Sequence, residues 1–373
     1  MRDIDWQAYA VPQSRILHPY MPGKPIEQLL AEKGLKSALK LASNENPYGP
    51  PPAAIEAIRN MADKVHLYPD GNGSALKSVL AEKLGVKSKQ ILLGNGSNEV
   101  LELLIRCFAR AGDEVIYSQH AFIVYALSTI AAGARGVPVP EKDGFSHDLD
   151  AMCKAVSSRT RLISLANPNN PTGTLHSLDS IQNFLDRLPR QMVVLLDEAY
   201  FEYVQETIGD SLKDLEHPGL LICRTFSKAY GLAGCRVGYA IGDSEIIELA
   251  NRFREPFNVN SIALVAAEAA LEDERWVLDH VNECLCERQR LEQFFRHRNC
   301  LGRESHGNFV LLRHIRAKEI LRRLEDCGII SRPLDPYGLA DILRISVGKR
   351  LENNRLIAEL EPILTELEAC TLA

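Results

Sequence analysis

The chain has 373 residues, of which 46% are hydrophobic and 25% are charged, and its formal net charge is -6. This is the composition of an ordinary globular protein, long enough for one large domain and a smaller one. The mild acidity and the lack of a Lys/Arg block exclude an electrostatic footprint for nucleic acid, so no nucleic-acid partner is expected.

Membrane and targeting signals are missing from the sequence. The longest apolar stretch, residues 121–134, contains Ser128, Thr129 and Gly133 and falls short of the roughly 18 apolar residues that a membrane span needs. The N-terminal M-R-D-I-D-W-Q lacks the basic start and apolar core of a signal peptide. The nine cysteines are scattered and form no C-x-x-C pair. We therefore expect reduced thiols, a cytoplasmic location and no membrane partner.

The first part of the chain is rich in turn-forming residues. Residues 1 to about 40 hold four prolines, which predicts an extended arm followed by a short helix over residues 26–33. The polar loops L-A-S-N-E-N-P-Y-G-P (41–50) and Y-P-D-G-N-G-S (68–74) precede helices predicted over 53–61 and 74–84.

From Gln90 onwards, short apolar strands alternate with amphipathic helices. Strands are predicted over residues 91–93, 114–117, 136–139, 161–166, 192–196, 220–225 and 235–241, and helices over 97–110, 120–132, 148–156 and 177–187. This alternation predicts an α/β fold with a mostly parallel seven-stranded sheet between helices. Ligands of such sheets lie beyond the carboxyl ends of the strands.

The last third of the chain predicts a small α+β domain. A helical region over residues 244–272 is followed by a long helix with apolar residues near a 3.6-residue spacing. The chain then gives strands over 308–312 and 342–347, and helices over 317–326 and 351–367. We place an N-terminal arm that packs with the small domain at 1–45, a large domain at 46–270 and the small domain at 271–373.

The stretch R-T-F-S-K-A-Y-G-L-A-G-C-R, residues 224–236, follows a buried strand and combines Thr225, Ser227, Lys228 and Arg236. An apolar setting lowers the pKa of a lysine and makes its amine a nucleophile. Hydroxyl groups and an arginine beside it suit a phosphate monoester. Pyridoxal 5'-phosphate (PLP), an aldehyde that carries a phosphate and is held as a Schiff base, needs both properties. The alternative is a solvated lysine in a loop, and the full spacing favours PLP.

Three more loops fall at the predicted ligand edge of the sheet. In G-N-G-S-N-E (94–99), the first helical N–H groups at Ser97 and Asn98 favour a phosphate, although Ser97 alone could be an N-cap. N-P-N-N-P-T-G (167–173) predicts a hydrogen-bonding wall. Asp197 ends an apolar strand, where it either caps a turn or pairs with a protonated pyridine nitrogen. PLP explains these features together better than separate interpretations do.

These segments resemble the fold-type I PLP-dependent aminotransferases, and within them the histidinol-phosphate aminotransferase group. The matching segments run in the family's order from residue 41 to residue 348: L-A-S-N-E-N-P-Y-G, Y-P-D-G, G-N-G-S-N-E, N-P-N-N-P-T-G-T, L-D-E-A-Y, T-F-S-K-A-Y-G-L-A-G-C-R-V-G-Y and L-R-I-S-V-G. The motif from Ser227 to Gly238 is specific to the superfamily. The first loop and the L-R-I-S-V-G ending point to the histidinol-phosphate group.

The resemblance implies roles at the cofactor ring. Lys228 would form the Schiff base and, once freed, shuttle the proton. Asp197 would face the pyridine nitrogen, and Asn170 and Tyr200 would hydrogen-bond the phenolic oxygen. Many relatives have P-T-Y or P-T-F where this chain has H-A-F, residues 120–122, and the alignment makes Phe122 the aromatic residue that stacks on the ring.

The resemblance also implies the phosphate and substrate contacts. The phosphate would be held by Ser97, Asn98, Thr225, Ser227 and Arg236, joined by Tyr68 from the other subunit of a homodimer. The substrate pocket would contain Tyr20, Asn44 and Arg344, with Arg344 on the anionic group. His120 is a candidate catalytic base, but Lys228 already supplies that chemistry. No metal site is expected.

The function that the resemblance implies is the transfer of an amino group from L-glutamate to imidazole-acetol phosphate, giving L-histidinol phosphate and 2-oxoglutarate in histidine biosynthesis. An aromatic-amino-acid aminotransferase acting on phenylalanine or tyrosine is the near alternative, and phosphothreonine decarboxylation a more remote one. The intact Lys228, Asp197 and Arg236 argue against a sensor that has lost catalysis. A Rossmann dehydrogenase is disfavoured because no strand leads into G-x-G-x-x-G.

Overall fold

The computed structural model describes residues 4–17 and 22–371, the last three of them by backbone alone. Its α-helices are α1 (Trp6–Tyr9), α2 (Gln13–Ile16), α3 (Ile26–Lys33), α4 (Pro52–Met61), α5 (Ser74–Leu84), α6 (Ser97–Phe108), α7 (Ile123–Ala131), α8 (Leu149–Lys154), α9 (Leu178–Leu185), α10 (Gln205–Ile208), α11 (Ser211–Asp214), α12 (Ser244–Asn251), α13 (Ser261–Glu272), α14 (Glu274–His297), α15 (Ala317–Asp326) and α16 (Arg350–Thr371). Its strands are β1 (Leu39–Lys40), β2 (Ile91–Gly94), β3 (Glu114–Ser118), β4 (Arg135–Val139), β5 (Thr160–Ala166), β6 (Val193–Asp197), β7 (Leu220–Thr225), β8 (Gly238–Ile241), β9 (Phe309–Arg313), β10 (Ile329–Ile330), β11 (Arg332–Leu334) and β12 (Leu339–Ser346).

The large sheet has seven strands in the order β2-β8-β7-β6-β5-β3-β4. Strand β8 is antiparallel to both of its neighbours, and every other pair is parallel. The central strands β6 and β7 consist of buried residues throughout, as expected for a sheet covered by helices on both faces. The predicted α/β fold with a mostly parallel seven-stranded sheet is confirmed.

The register of this sheet brings polar residues to one edge. Ala166 at the end of β5 lies beside Asp197 at the end of β6, and Asp197 lies beside Cys223 of β7. The loops that follow β5 and β7 therefore begin next to Asp197. This places residues 167–173 and 226–236 around a single carboxylate.

A second layer of structure contains the three-stranded antiparallel sheet β11-β12-β9 and helices α14, α15 and α16. Strand β1 pairs in parallel with β10, so residues 39–40 attach to this part of the molecule. Helix α3 and the residues just before it are held to α15 by the ion pairs Lys24–Glu325 (2.9 Å) and Lys33–Asp326 (2.6 Å). The predicted domain boundaries at residues 45 and 270 stay predictions.

Three local predictions were wrong. Residues 244–272 form two helices, α12 and α13, because Pro256 offers no amide N–H to a continuous helix and Phe257 takes a φ of 58°. Strand β8 begins only at Gly238, since Arg236 has a φ of 60° that a strand cannot contain. The N-terminal arm is not wholly extended, because it contains α1, capped by the Asp5 carboxylate, and α2, which packs on α7.

In the part of the chain that the structure describes, no helix is long and apolar enough to cross a membrane. Over the same residues, no cluster of three or more His, Cys, Asp or Glu side chains is arranged to hold a metal ion.

A buried ion pair joins the ends of β6 and β7 on the far side from Asp197. The Arg224 Nε lies 2.9 Å from an oxygen of Glu198, and the Arg224 Nη2 lies 2.8 Å from Asp210. Both Arg224 and Glu198 are buried, and the guanidinium lies 3.4 Å from the centroid of the Phe201 ring. Buried charges of this kind are costly to leave unpaired.

We predict that Arg224→Met lowers the free energy of unfolding by about 3–5 kcal/mol, because Glu198 stays buried without its guanidinium. The double variant Arg224→Met/Glu198→Gln should lose less, since no unpaired charge remains. Arg252→Met, which removes an exposed pair with Glu248, should cost less than about 1 kcal/mol. Urea unfolding measures all three variants. Equal losses for Arg224→Met and Arg252→Met would contradict the structural role of the pair.

Candidate active site

A cavity of about 200 Å³ lies between the carboxyl edge of the large sheet and the three-stranded sheet. Twelve of the fourteen predicted site residues line it: Asn44, Ser97, Asn98, Phe122, Asn170, Asp197, Tyr200, Thr225, Ser227, Lys228, Arg236 and Arg344. Tyr68 lies elsewhere, and Tyr20 lies outside the described residues. Sequence segments far apart in the chain therefore form one site.

Lys228 stands on the turn after β7 and points its amine into this cavity. Its Nζ donates a hydrogen bond to the Ser43 carbonyl at 3.2 Å and lies 6.0 Å from the Tyr200 ring centroid. Loss of solvation lowers the pKa of Lys228 to about 8, helped by the positive charges of Arg344 and Arg236. A neutral, nucleophilic amine is therefore far more abundant near neutral pH than at an exposed lysine.

Asp197 is buried at the end of β6. Its carboxylate accepts hydrogen bonds from the Tyr125 hydroxyl at 2.7 Å and the Ala199 N–H at 3.1 Å. Burial nevertheless raises its pKa to about 6. Among the described residues, no Lys, Arg or His forms an ion pair with it at 4.0 Å or less. The site thus contains a buried acid with room for an external cation, which a protonated pyridine nitrogen would provide.

Tyr125 is a site residue that the sequence reasoning missed. It is wholly buried in α7, and the sequence alone does not distinguish it from an ordinary core aromatic residue. Only the packing of α7 against the end of β6 shows that its hydroxyl reaches Asp197.

A set of phosphate donors converges at the other end of the cavity. Ser97 and Asn98 begin α6, whose first N–H groups favour an anion. The Arg236 Nη1 lies 3.3 Å from the Ser227 hydroxyl, and the Thr225 hydroxyl accepts the Ser227 N–H at 3.1 Å. These donors come from two segments that are far apart in the chain, and their chemistry matches that of a phosphate monoester.

Gly96 is the residue that lets this group of donors form. Its φ is +81°, and a Cβ built on it would lie 2.2 Å from the Arg236 Nη2. No other residue type can both adopt this backbone and leave room for the guanidinium. The close approach fits a site built for an anion beside the α6 N-terminus.

A hydrogen-bond chain holds the wall opposite Asp197. Asn44, with a φ of 55°, donates from its side-chain amide to the Tyr200 hydroxyl at 2.8 Å. The Ser346 hydroxyl accepts the Asn44 backbone N–H at 2.7 Å. Burial raises the pKa of Tyr200 to about 12, so its hydroxyl keeps a proton to donate. Asn170 accepts a short hydrogen bond from Arg344 at the same wall.

Arg344 and Arg332 bring two guanidinium groups into the cavity. Arg344 is buried, donates to the Ala42 carbonyl at 3.0 Å and pairs with Arg332 across strands β12 and β11. Directly paired residues of neighbouring strands share a face, so both arginines line the cavity. The sequence reasoning missed Arg332, although the D-P-Y-G turn (335–338) between the two arginines signals a hairpin. Gly23 and Tyr337 of the lining were missed as well.

Tyr68 lies on the surface of the chain. Its ring is 83% exposed and stacks on that of Phe257 at a centroid distance of 4.7 Å. Val65 and Leu67 are also largely exposed nearby in the chain. Tyr68 therefore makes no contribution to the cavity of its own chain.

The donor set as a whole fits PLP. Lys228 offers the amine for the aldehyde, Asp197 a carboxylate for the ring nitrogen, and Tyr200 a hydroxyl for the ring oxygen. Phe122 offers an aromatic face on the cavity wall. His120, the other candidate from this loop, does not line the cavity.

Comparisons with known proteins show which family the chain belongs to. The family described as aminotransferase class I and II matches residues 36–360. A histidinol-phosphate aminotransferase 2 of Methylococcus capsulatus is 48% identical over 363 residues, which cover 95% of this chain and 98% of that protein. One from Pasteurella multocida is 46% identical over 351 residues, covering 93% of this chain and 96% of that protein.

A solved structure shares the whole architecture. It is the histidinol-phosphate aminotransferase of Sinorhizobium meliloti in complex with pyridoxal-5'-phosphate, with a TM-score of 0.89 and 30% sequence identity. The match covers 98% of this chain and 99% of that one.

We predict that Lys228→Met makes the cofactor-free protein more stable by about 1–3 kcal/mol at pH 7, because a desolvated charge disappears. The folded pKa of about 8 is below the ordinary 10.5, so the cost of burying the charge is fully present below pH 8. It fades as the pH rises to 10.5, and the gap between variant and wild type should close over this range.

Urea unfolding at pH 7, 8.5 and 10 measures this gap. Lys213→Met, at an exposed lysine, is the control for the substitution itself. A gap that stays constant with pH would show that Lys228 is not desolvated in the folded chain.

Proposed function

This chain belongs to the class I and II aminotransferases, and we propose that it is a PLP-dependent histidinol-phosphate aminotransferase. It moves the amino group of L-glutamate to imidazole-acetol phosphate and so produces L-histidinol phosphate and 2-oxoglutarate in histidine biosynthesis. The observation that carries the proposal is that Lys228, Arg344 and Arg332 line one cavity. An amine nucleophile then faces two cations that recognise an anionic substrate.

PLP, when bound, supplies an electron-withdrawing ring that accepts the electrons left by the proton of the substrate carbon. Lys228 would provide the covalent attachment, and its free Nζ would be the base that takes up and returns that proton. The Asp197 carboxylate keeps the ring nitrogen protonated. Tyr200 and Asn170 would hydrogen-bond the ring oxygen, and the Phe122 ring would pack on the face of the ring.

The phosphate of PLP is held by the donors at the α6 N-terminus and on the Lys228 turn. They are Ser97, Asn98, Thr225, Ser227 and Arg236. Donors that are fixed before binding lose little freedom when the ligand arrives, so this end of the cavity would anchor the cofactor.

The two arginines select substrates that carry a negatively charged group. A guanidinium fork donates paired hydrogen bonds to a carboxylate or a phosphate. Glutamate presents a carboxylate and histidinol phosphate a phosphate, so Arg344 and Arg332 serve both half-reactions. Asn44 lines the same pocket, and Tyr20, outside the described residues, completes it in this proposal. An aromatic-amino-acid aminotransferase is the alternative.

We also propose that the active enzyme is a homodimer in the cytoplasm. The exposed aromatic pair of Tyr68 and Phe257 supports the dimer, since Tyr68 would then reach the phosphate in the partner's site. The eight cysteines whose side chains the structure describes are free thiols, which supports a reducing compartment.

We predict that purified protein converts bound PLP to its amine form with L-glutamate and with histidinol phosphate, and far more slowly with phenylalanine or tyrosine. Arg344→Lys keeps the charge but loses the planar fork, so kcat/KM should fall about 10- to 100-fold for both anionic substrates. Single-turnover absorbance changes of PLP give each half-reaction separately. Arg252→Lys is the exposed control.

Two results would count against this assignment. A preference for phenylalanine over histidinol phosphate would favour the aromatic aminotransferase. An unchanged kcat/KM in Arg344→Lys would show that Arg344 does not bind the substrate.

We predict that mixing Tyr68→Ala chains with Lys228→Ala chains restores part of the activity that each variant lacks. A dimer that shares its sites would contain some with both an intact lysine and an intact tyrosine. Native mass spectrometry establishes that subunits exchange, and transamination is then measured. Exchange without recovery would rule out sharing of Tyr68.

A further inference from the structure

His120 has no part in the proposed function, yet it occupies an unusual place beside the cavity. It lies in the turn between β3 and α7, and its side chain is only 12% exposed. It faces the carboxylate of Glu141, which is 1% exposed. Burying a His–Glu pair costs the solvation of both groups, which suggests that the pair has a specific role.

Glu141 holds His120 at two points. One carboxylate oxygen accepts the His120 backbone N–H at 2.6 Å, and the other lies 3.0 Å from the ring Nδ1. The Glu141 carboxylate raises the pKa of His120, so the charged ring is favoured. The backbone hydrogen bond fixes the turn, and the attraction between the carboxylate and the charged ring, at ion-pair distance, holds the ring beside Glu141.

The turn fixed in this way contacts one wall of the cavity. The His120 carbonyl accepts a hydrogen bond from the side-chain amide of Asn169 at 3.1 Å. Asn169 is wholly buried and precedes Asn170, which lines the cavity and accepts from Arg344. The position of His120 is thus passed to Asn170 through one hydrogen bond and one peptide unit.

Two other parts of the lining come near the same residue. Phe122, two positions along the chain, leads into α7 and lines the cavity. On the other side, the turn at Gly338 passes near the ring, since a Cβ added to Gly338 would lie 3.8 Å from the His120 Nε2. Tyr337, the neighbour of Gly338, also lines the cavity.

We propose that the His120–Glu141 pair is a positioning device that holds Phe122 and Asn170 in fixed relation around the cavity. His120 touches neither substrate nor cofactor and acts through these neighbours. The pair therefore sets the affinity for PLP and the KM for substrates, and has little influence on kcat. The inference deepens the proposed function and rests on it for the identity of the substrates.

The test compares variants that differ in what they leave of the pair. His120→Ala removes the ring and should raise the dissociation constant of PLP and the KM for histidinol phosphate about tenfold, with kcat within about threefold of wild type. His120→Asn keeps an N–H donor near the position of Nδ1 and should recover most of the loss. Glu141→Gln keeps an acceptor for the backbone N–H but loses the charge, and should fall between the two.

The readouts separate positioning from folding and from chemistry. PLP affinity is titrated by absorbance on the cofactor-free protein, the half-reactions give KM and kcat, and thermal unfolding reports stability. His297→Asn, at an exposed histidine in the last turn of α14, is the matched control and should match wild type. If His120→Ala does not fold, the near-isosteric His120→Asn and Glu141→Gln decide the matter.

Each outcome bears on the proposal in one direction. Wild-type PLP affinity and KM in His120→Ala, or in Glu141→Gln, would overturn it. A loss confined to kcat would overturn it too, since His120 would then take part in the chemistry. If wild type fails to react with histidinol phosphate while PLP affinity falls in His120→Ala, the substrate assignment fails and the positioning role stands.

Discussion

The active site depends on burying two opposite charges that do not pair with each other. Asp197 and Lys228 share a cavity in which lost solvation moves the pKa of the acid up to about 6 and that of the amine down to about 8. Among the described residues, neither forms an ion pair. Such groups are unstable as ions and are stabilised by a ligand that supplies the missing partners. In the cofactor-free chain, burial of Asp197 and Lys228 therefore lowers stability at the residues that PLP would contact.

The parallel sheet makes this arrangement possible at a modest cost. Because β5, β6 and β7 run in the same direction, their carboxyl ends deliver Ala166, Asp197 and Thr225 to one edge. Alternation of side chains then sends Glu198 and Arg224 to the opposite side, where they pair. One face of the strand ends carries the reactive groups, and the other face carries the ion pair that holds the strands together.

Much of this could be predicted from the sequence because the relevant signals are local. Apolar runs of β-strand length located the large sheet, and the motif around Lys228 located residues that line the cavity. Arg332 was missed because its relevance arises only from its pairing with Arg344, and Tyr125 because a hydroxyl on a core aromatic looks the same whether or not it reaches an acid. Pro256 is visible in the sequence, but the prediction of one helical region over residues 244–272 did not take its missing N–H into account. Tyr68 cannot be placed at an active site by one chain alone.

The segment around Asn44 has a consequence for how the protein folds. The Asn44 N–H donates a hydrogen bond to Ser346, and the Ala42 carbonyl accepts one from Arg344; each pair is 302 residues apart in the chain. The Asn44 carbonyl accepts a third hydrogen bond from Asn308. Closing so long a loop is entropically unfavourable until the intervening structure has formed. High contact order of this kind slows folding. During synthesis, the wall that contains Ser43 and Asn44 cannot form these hydrogen bonds until nearly the whole chain has left the ribosome. Nascent chains thus carry an unfinished pocket, and PLP can be retained only by the complete polypeptide.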